Sequence, residues 1–336
     1  MRPSDAMGGS GARQDSDSPG RGAPIGAERT LTAGPRVVQE AGRAAFPGFR
    51  LRVLERTPST QDVVRAAARA GAEAGFCCVA RAQSAGRGRQ GRAWEAPPGT
   101  GLLVSVLVRV PGGVVGGVPL VGGLAVCDAV EGLGVGRGVV GLKWPNDVVV
   151  GGRKLAGVLA EVEAAARRGE GSPRAAGIPA PPGASPAGGD SGGRSGTSPH
   201  GTRAAEGGEI PVALGIGLNL TVREFPQAVP GISLHELLGR DAPWEEALAA
   251  LLPALAGRLA ELESGGIPAT VAAWRTRAVG LGGEVEAHTP GGVIRGRAVD
   301  VAEDGALLLD TPSGLTRLVA GDVHLVAPPT ARDVSR

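Results

Sequence analysis

The sequence predicts an α/β domain over about residues 47–279, followed by a small β domain over about 280–328. Three observations carry this. Segments of strand and helix character alternate from residue 51 to 279, the pattern of an α/β fold. Short strand-like runs separated by turn residues then crowd the C-terminal region, which points to a small barrel. Two stretches, 1–46 and 166–208, are dominated by Gly, Pro, Ser and Ala and are expected to be a disordered extension and a disordered insertion. Residues 329–336 form a tail.

The elements follow in order. Leu51–Leu54 reads as a short strand. Gln61–Ala72 reads as a helix, with Ser59 and Thr60 as N-cap candidates. Phe76–Ala80 is a buried strand, Ser84–Trp94 a Gly/Arg loop, Leu102–Val110 a long apolar strand and Leu120–Leu133 a helix. Gly141–Val150 and Arg153–Val162 read as two strands joined by a Gly151–Gly152 turn. Val212–Leu220 is a strand after the insertion. Trp244–Leu262 is an amphipathic helix with Ala247, Leu248, Leu251, Leu255 and Leu259 on one face, and Thr270–Val279 a second helix. Glu284–Ala287, Val293–Val301, Ala306–Leu309, Thr316–Val319 and Val323–Val326 are the small domain's strands, punctuated by Asp304–Gly305 and Ser313–Gly314.

Composition narrows the function. A net charge of +2 argues against an electrostatic DNA or RNA binder. Aromatic residues are 2% and Tyr is absent, so platforms for stacking RNA bases are scarce. Three cysteines, Cys77, Cys78 and Cys127, give neither a disulfide framework nor zinc spacing, and a reducing cytoplasm fits them. No apolar run approaches the ~18 residues of a membrane helix, and no signal-peptide core is seen. The chain uses Arg almost to the exclusion of Lys. Its only lysines are Lys143 and Lys154, and its only asparagines Asn146 and Asn219. A lone Lys in such a background marks a local chemical need.

Gly86-Arg87-Gly88-Arg89-Gln90-Gly91-Arg92 contains the dinucleotide spacing G-x-G-x-x-G. Here Ala93-Trp94-Glu95-Ala96-Pro97-Pro98 follows, which blocks the helix that motif must open. The loop fits an anion clamp instead. Its glycines let backbone approach a ligand, and its guanidiniums can hold carboxylate and phosphate oxygens. In Lys143-Trp144-Pro145-Asn146-Asp147 and Lys154-Leu155-Ala156-Gly157, a strand–turn–strand path returns Lys154 toward Asn146 and Asp147. Gly215-Ile216-Gly217-Leu218-Asn219 puts two glycines in a strand, a mark of close approach by ligand or backbone.

Together with Ser59-Thr60 and Gln83-Ser84-Ala85, these motifs stand in the order found in the biotin–protein ligases, and residues 50–327 resemble that family, small C-terminal barrel included. The resemblance implies a mixed β-sheet flanked by helices plus that barrel. It implies an enzyme that makes biotinyl-5'-AMP from biotin and ATP, with Mg2+, and passes biotin to a lysine of a biotin carboxyl carrier domain of a carboxylase. It implies that Ser59, Thr60, Gln61, Gln83, Gly86, Gly88, Gly157, Gly215 and Gly217 hold biotin, with Trp94 as a wall. Arg87, Arg89 and Lys154 would meet the biotin carboxylate and α-phosphate. Arg89, Arg92, Asn146 and Asn219 would serve the nucleotide, and Asp147 the magnesium or the incoming lysine. Gln61 stands where the family often has Asn. Residues 1–46 cannot supply the winged helix-turn-helix of the family's repressors, so the expectation is a cytoplasmic monomer or weak homodimer that binds neither DNA nor membrane. Lipoate–protein ligase is the alternative activity, and a biotin-sensing repressor the more distant one.

Overall fold

A computed structural model describes residues 37–41 as backbone, and 48–163, 208–225, 230–289, 291–319 and 321–326 in full. The expected tail and nearly all of the expected insertion lie outside the described residues. The chain forms β1 (Val37–Ala41), β2 (Arg50–Leu54), α1 (Thr60–Arg69), β3 (Phe76–Ala80) and β4 (Gly101–Pro111). These are followed by α2 (Val118–Gly132), β5 (Gly141–Lys143), β6 (Asp147–Val150), β7 (Arg153–Val162) and β8 (Glu209–Asn219). Then come α3 (Leu234–Leu238), α4 (Trp244–Thr276) and β9 (Ala278–Val279). The nine strands make one mixed sheet in the order β1-β2-β3-β4-β8-β7-β6-β5-β9, with β2–β3 and β5–β9 parallel and the other pairs antiparallel.

The alternation of side chains along the strands divides the sheet into two faces. On one face Val64 and Ala68 of α1 pack on Leu54, Cys78, Leu107 and Ala213. On the other, α2 and α4 cover Cys77, Val104, Val106, Val158, Leu214 and Ile216. α2 is apolar nearly all round because it lies between the sheet and α4. This corrects the reading of the chain as having no run long enough to cross a membrane. The helical segment Gly112–Gly132 is long and apolar enough, yet 67% of its 18-residue apolar window is buried inside the fold. α1 is only ten residues long, and the cavity described below opens beside its first turn.

Four departures from the expected elements have physical causes. Residues 37–41, expected to be disordered, pair antiparallel with the outer edge of β2. Such a strand is made by backbone bonding to an open edge, so it leaves no periodic signature. α3 escapes a periodicity search because it is one turn long; Ser233 N–H donates to Glu236 Oε1 (3.3 Å) at its start and Gly239 (φ +67°) ends it. The run expected as one strand over 141–150 is broken by a turn at Trp144–Asn146, with a cis Trp144–Pro145 bond, into β5 and β6. The two expected helices after 244 abut end to end, since Gly266 alone leaves helical geometry, and the second stops at Thr276 so that Ala278–Val279 can pair with Leu142–Lys143.

β10 (Glu284–Thr289), β11 (Gly292–Val301), β12 (Leu307–Thr311), β13 (Gly314–Leu318) and β14 (Asp322–Leu325) form the expected small domain, an antiparallel sheet in the order β13-β12-β11-β10-β14. It curls round Val285, Ala287, Val301, Leu309, Leu318 and Val323, which join the main core. Trp144 Nε1–H donates to Gly305 O (2.9 Å) and Arg275 Nε–H to Val301 O (3.1 Å), which ties the barrel to the sheet domain.

The insertion leaves and returns between neighbouring strands. Val162 lies opposite Val212, and Glu163 N–H donates to Pro211 O (2.9 Å). Joining residues 167 and 207 by a short Gly/Ser linker should therefore leave the β7–β8 pair in register. Loop closure depends weakly on length, about 0.6 kcal/mol per doubling, so the shortened chain should melt at the same temperature or a few degrees higher. Thermal unfolding of the deletion variant measures this; a lower Tm would show that the insertion packs on the fold.

Candidate active site

On the α1 face a cavity of about 260 Å3 opens over β4, β8 and β7. It is lined by every residue to which the family resemblance assigns a role except Gly86. Gly86 acts behind it. A Cβ there would stand 2.3 Å from Trp94 O and 2.9 Å from Gln83 Nε2, so only glycine lets the loop fold this tightly.

Register builds the floor. Gly217 lies opposite Leu103 on β4 and opposite Gly157 on β7, and Gly215 lies opposite Ser105 and Leu159. Three side chains are thus missing from adjacent positions of one face. Trp94 lies in the gap, and a Cβ on Gly217 would sit 2.3 Å from its Cε2. The polar end comes from the start of α1. Gln83 Oε1 accepts from Thr60 N–H (2.7 Å) and Thr60 Oγ1–H (3.0 Å), so a remote side chain caps the helix, and Thr60 Oγ1 also meets Ser105 Oγ (2.8 Å). Ser59, Thr60, Gln61 and Ser105 are all buried.

The cationic end is arranged on β6 and β7. Lys154 Nζ lies 2.5 Å from Asp147 Oδ1 and 5.4 Å from the centre of a Trp94 ring, and Lys143 Nζ lies 3.1 Å from Asp147 Oδ2. Burial opposes ionisation of Asp147, but Lys154 and Lys143 outweigh it and hold the carboxyl below its ordinary range. The backbone of Lys154 is fixed on both sides: its N–H donates to Pro230 O (2.8 Å), and its carbonyl accepts from Ile232 N–H (3.0 Å) and Asn219 Nδ2–H (3.1 Å).

The arginine loop divides its three cations. Arg87 Nη1–H donates to Asp62 Oδ1 (2.6 Å) and Nη2–H to Glu161 Oε2 (3.2 Å). Arg92 pairs with Asp322 of the barrel. Arg89 keeps Nη1 buried with no partner, and burial pulls its pKa down although the Asp322 and Asp147 carboxylates oppose this. The loop is held in place: Trp94 packs on the glycine floor, while Gly88 N–H donates to Arg92 O (2.7 Å) and Trp94 N–H to Gly86 O (3.0 Å). The two asparagines direct their amide hydrogens to backbone, Asn146 to Val158 O (2.6 Å) and Asn219 to the carbonyls of Lys154 and Ile232.

Sequence reasoning missed Leu103, Ser105, Ile216, Phe225 and Gly231, which also line the cavity. Leu103 and Ser105 are ordinary strand residues, and only the register places them on the cavity face, while Ile216, between the two glycines, turns its side chain to the α2 face. Among the described residues, the buried side-chain atoms without a partner include Gln61 Oε1, Arg87 Nε, Arg89 Nη1 and Trp94 Nε1, all in residues lining this cavity. Each such group costs about 1–3 kcal/mol while unmatched, so their convergence marks a place for a polar ligand.

A sheet covered by helices, a small C-terminal barrel and a cavity with a polar end and a cationic end define a ligase-type site that can activate a carboxylate. The sequence profile of the Biotin/lipoate A/B protein ligase family matches residues 53–171, and that of the biotin protein ligase C-terminal domain matches 280–326. The biotin–[acetyl-CoA-carboxylase] ligase of Mycobacterium tuberculosis is 34% identical over 291 residues, 84% of this chain and 91% of that one. The bifunctional ligase/repressor BirA of Bacillus subtilis is 25% identical over 80% of this chain and 71% of its own length. The biotin protein ligase of Aquifex aeolicus in complex with biotin and ATP superposes with a TM-score of 0.60 at 25% identity, over 82% of this chain and 97% of that one. The chain belongs to the biotin–protein ligase family.

Gly217→Ala should place a methyl group inside the volume of the Trp94 indole. The indole has to leave the floor, and the variant should show altered Trp emission and at least about tenfold weaker biotin binding by calorimetry. Wild-type affinity would show that Trp94 does not form the wall.

Proposed function

We propose that this enzyme binds biotin with its ring end at Ser59, Thr60, Gln61, Gln83 and the Gly215/Gly217 floor and its carboxylate toward Lys154 and Arg89. The observation that carries this is the cavity joining a buried polar end to an ammonium and a guanidinium with a buried, unpartnered nitrogen. ATP takes the end bordered by Arg89, Asn146, Asn219 and Phe225. The acceptor is a lysine of a biotin carboxyl carrier domain, and the enzyme works in the cytoplasm.

In the first step a biotin carboxylate oxygen attacks the α-phosphorus of ATP and pyrophosphate leaves. Both reactants are anionic. Lys154 and Arg89 offset that repulsion and stabilise the charge that builds up in the transition state. Asp147, held ionised, aims Lys154. Arg87, expected at the biotin carboxylate, has both terminal nitrogens on protein carboxylates, and we assign it to holding the loop. In the second step the neutral amine of the acceptor lysine attacks the acyl carbon and AMP leaves. The mixed anhydride is already activated, so orientation and exclusion of water by Trp94 and its loop are what the protein adds.

Asp147 does not fit a magnesium ligand. Both its oxygens carry a lysine ammonium, and among the described residues no group of three His, Cys, Asp or Glu side chains comes together. We place magnesium with the triphosphate it accompanies.

Incubation with biotin, ATP, magnesium and a carrier domain should give an avidin-reactive carrier on a blot. A higher kcat/KM for lipoate than for biotin would overturn the substrate assignment. Lys154→Arg keeps the charge but replaces a compact ammonium by a planar fork that cannot occupy the same place beside Asp147. Single-turnover adenylate formation should fall by about a hundredfold or more, within the range of a lost transition-state donor; a rate near wild type would leave Lys154 as an ordinary ion-pair partner.

A further inference from the structure

A continuous line of polar contacts runs from the cavity floor to the arginine loop. The carboxamide of Gln61 is buried against the floor, its Cδ 3.0 Å from where a Cβ on Gly215 would stand. Its Nε2 faces Leu159 O (3.3 Å), Ala213 O (3.3 Å) and Glu161 Oε2 (3.1 Å). Its Oε1 is buried without a partner, and the residue lines the cavity. Glu161 Oε2 receives Arg87 Nη2–H as well (3.2 Å), while Oε1 faces Arg65 Nη1 at 3.6 Å. Arg87 is held from its other side by Asp62.

We propose that Glu161 is a positioning residue that couples occupation of the cavity floor to closure of the Arg87–Trp94 loop. This rests on the reading of the cavity as the biotin site. A ligand N–H that reaches Gln61 Oε1 fixes the carboxamide with its donor end toward Glu161. The carboxylate is then held where Arg87 needs it. Without Glu161, Arg87 keeps only Asp62, whose side chain is 50% exposed and whose hold is screened by water. With it, the loop is tied to β7, the strand that carries Lys154 and Gly157. Asn in place of Gln61 would be one methylene shorter and would leave the amide out of reach of Glu161. The Gln at this position therefore belongs to the device.

The test uses the full-length chain. Pyrophosphate release gives KM for biotin, KM for ATP and kcat for the wild type, Glu161→Ala and Glu161→Gln, and limited trypsin digestion at Arg87, Arg89 and Arg92 is run with and without saturating biotin. Loss of a charge-assisted partner should raise the biotin KM of Glu161→Ala by about tenfold or more. The KM for ATP should stay within about twofold, and biotin should no longer slow cleavage of the loop. Glu161→Gln, which keeps the shape but not the charge, should fall between. Wild-type biotin KM together with wild-type protection in a folded variant would overturn the proposal, as would a lowered Tm with no change in either readout. If Glu161→Ala does not fold, Glu161→Gln decides by the same two measurements. Failure of the wild type itself to release pyrophosphate in response to biotin would instead overturn the biotin reading beneath it.

Discussion

The site depends on one alignment of strands, the row in which Gly157, Gly217 and Leu103 stand side by side across β7, β8 and β4. Side chains alternate between faces with a period of two. A slip of one residue in β8 would bring Ile216 or Leu218 to the open face and turn the glycines into the core. The antiparallel β4–β8 pairing fixes the register over eleven residues, from Gly101 opposite Asn219 to Pro111 opposite Glu209, and the buried apolar residues on the α2 face lock it. The hydrophobic core thereby decides where the functional glycines fall. Trp94, Gln61 and Lys154 can approach the sheet only because Gly157, Gly215 and Gly217 carry no side chains.

Electrostatics then follow from which charges find protein partners. Asp147 takes both lysines, and Asp62 and Glu161 share Arg87. Arg92 is taken by Asp322. Arg89 is left with a buried, unpartnered nitrogen beside the cavity. The arrangement separates cations that shape the site from those that can meet an anionic ligand. Lys154 belongs to both sets, because an ammonium can turn one hydrogen to Asp147 and others to a ligand.

The C-terminal barrel takes part in this. It shares the main core, receives Trp144 at Gly305 O, and supplies the carboxylate that holds Arg92. The Trp144–Asn146 turn, which leads into Asp147, and the loop that carries the arginines both lean on it. A domain that looks like an appendage in the sequence therefore buttresses two sides of the cavity.

The sequence by itself determined the class of fold, most elements to within a few residues, and most of the polar and glycine residues that line the cavity. Gly-Arg and Lys-Trp-Pro-Asn-Asp clusters stand out locally, and a chain with only two lysines advertises where a cation matters. It could not determine which cation of the loop keeps a buried nitrogen without a protein partner. Arg87, Arg89 and Arg92 are alike within their loop and differ only in whether Asp62, Glu161 or Asp322 comes near, and those carboxylates lie on α1, β7 and β14, apart in sequence. Nor could it show β1, α3 or the lining strand residues Leu103 and Ser105. Edge pairing, a single helical turn and the facing of a residue inside an apolar run are settled by neighbours brought close by folding, and no local pattern encodes them.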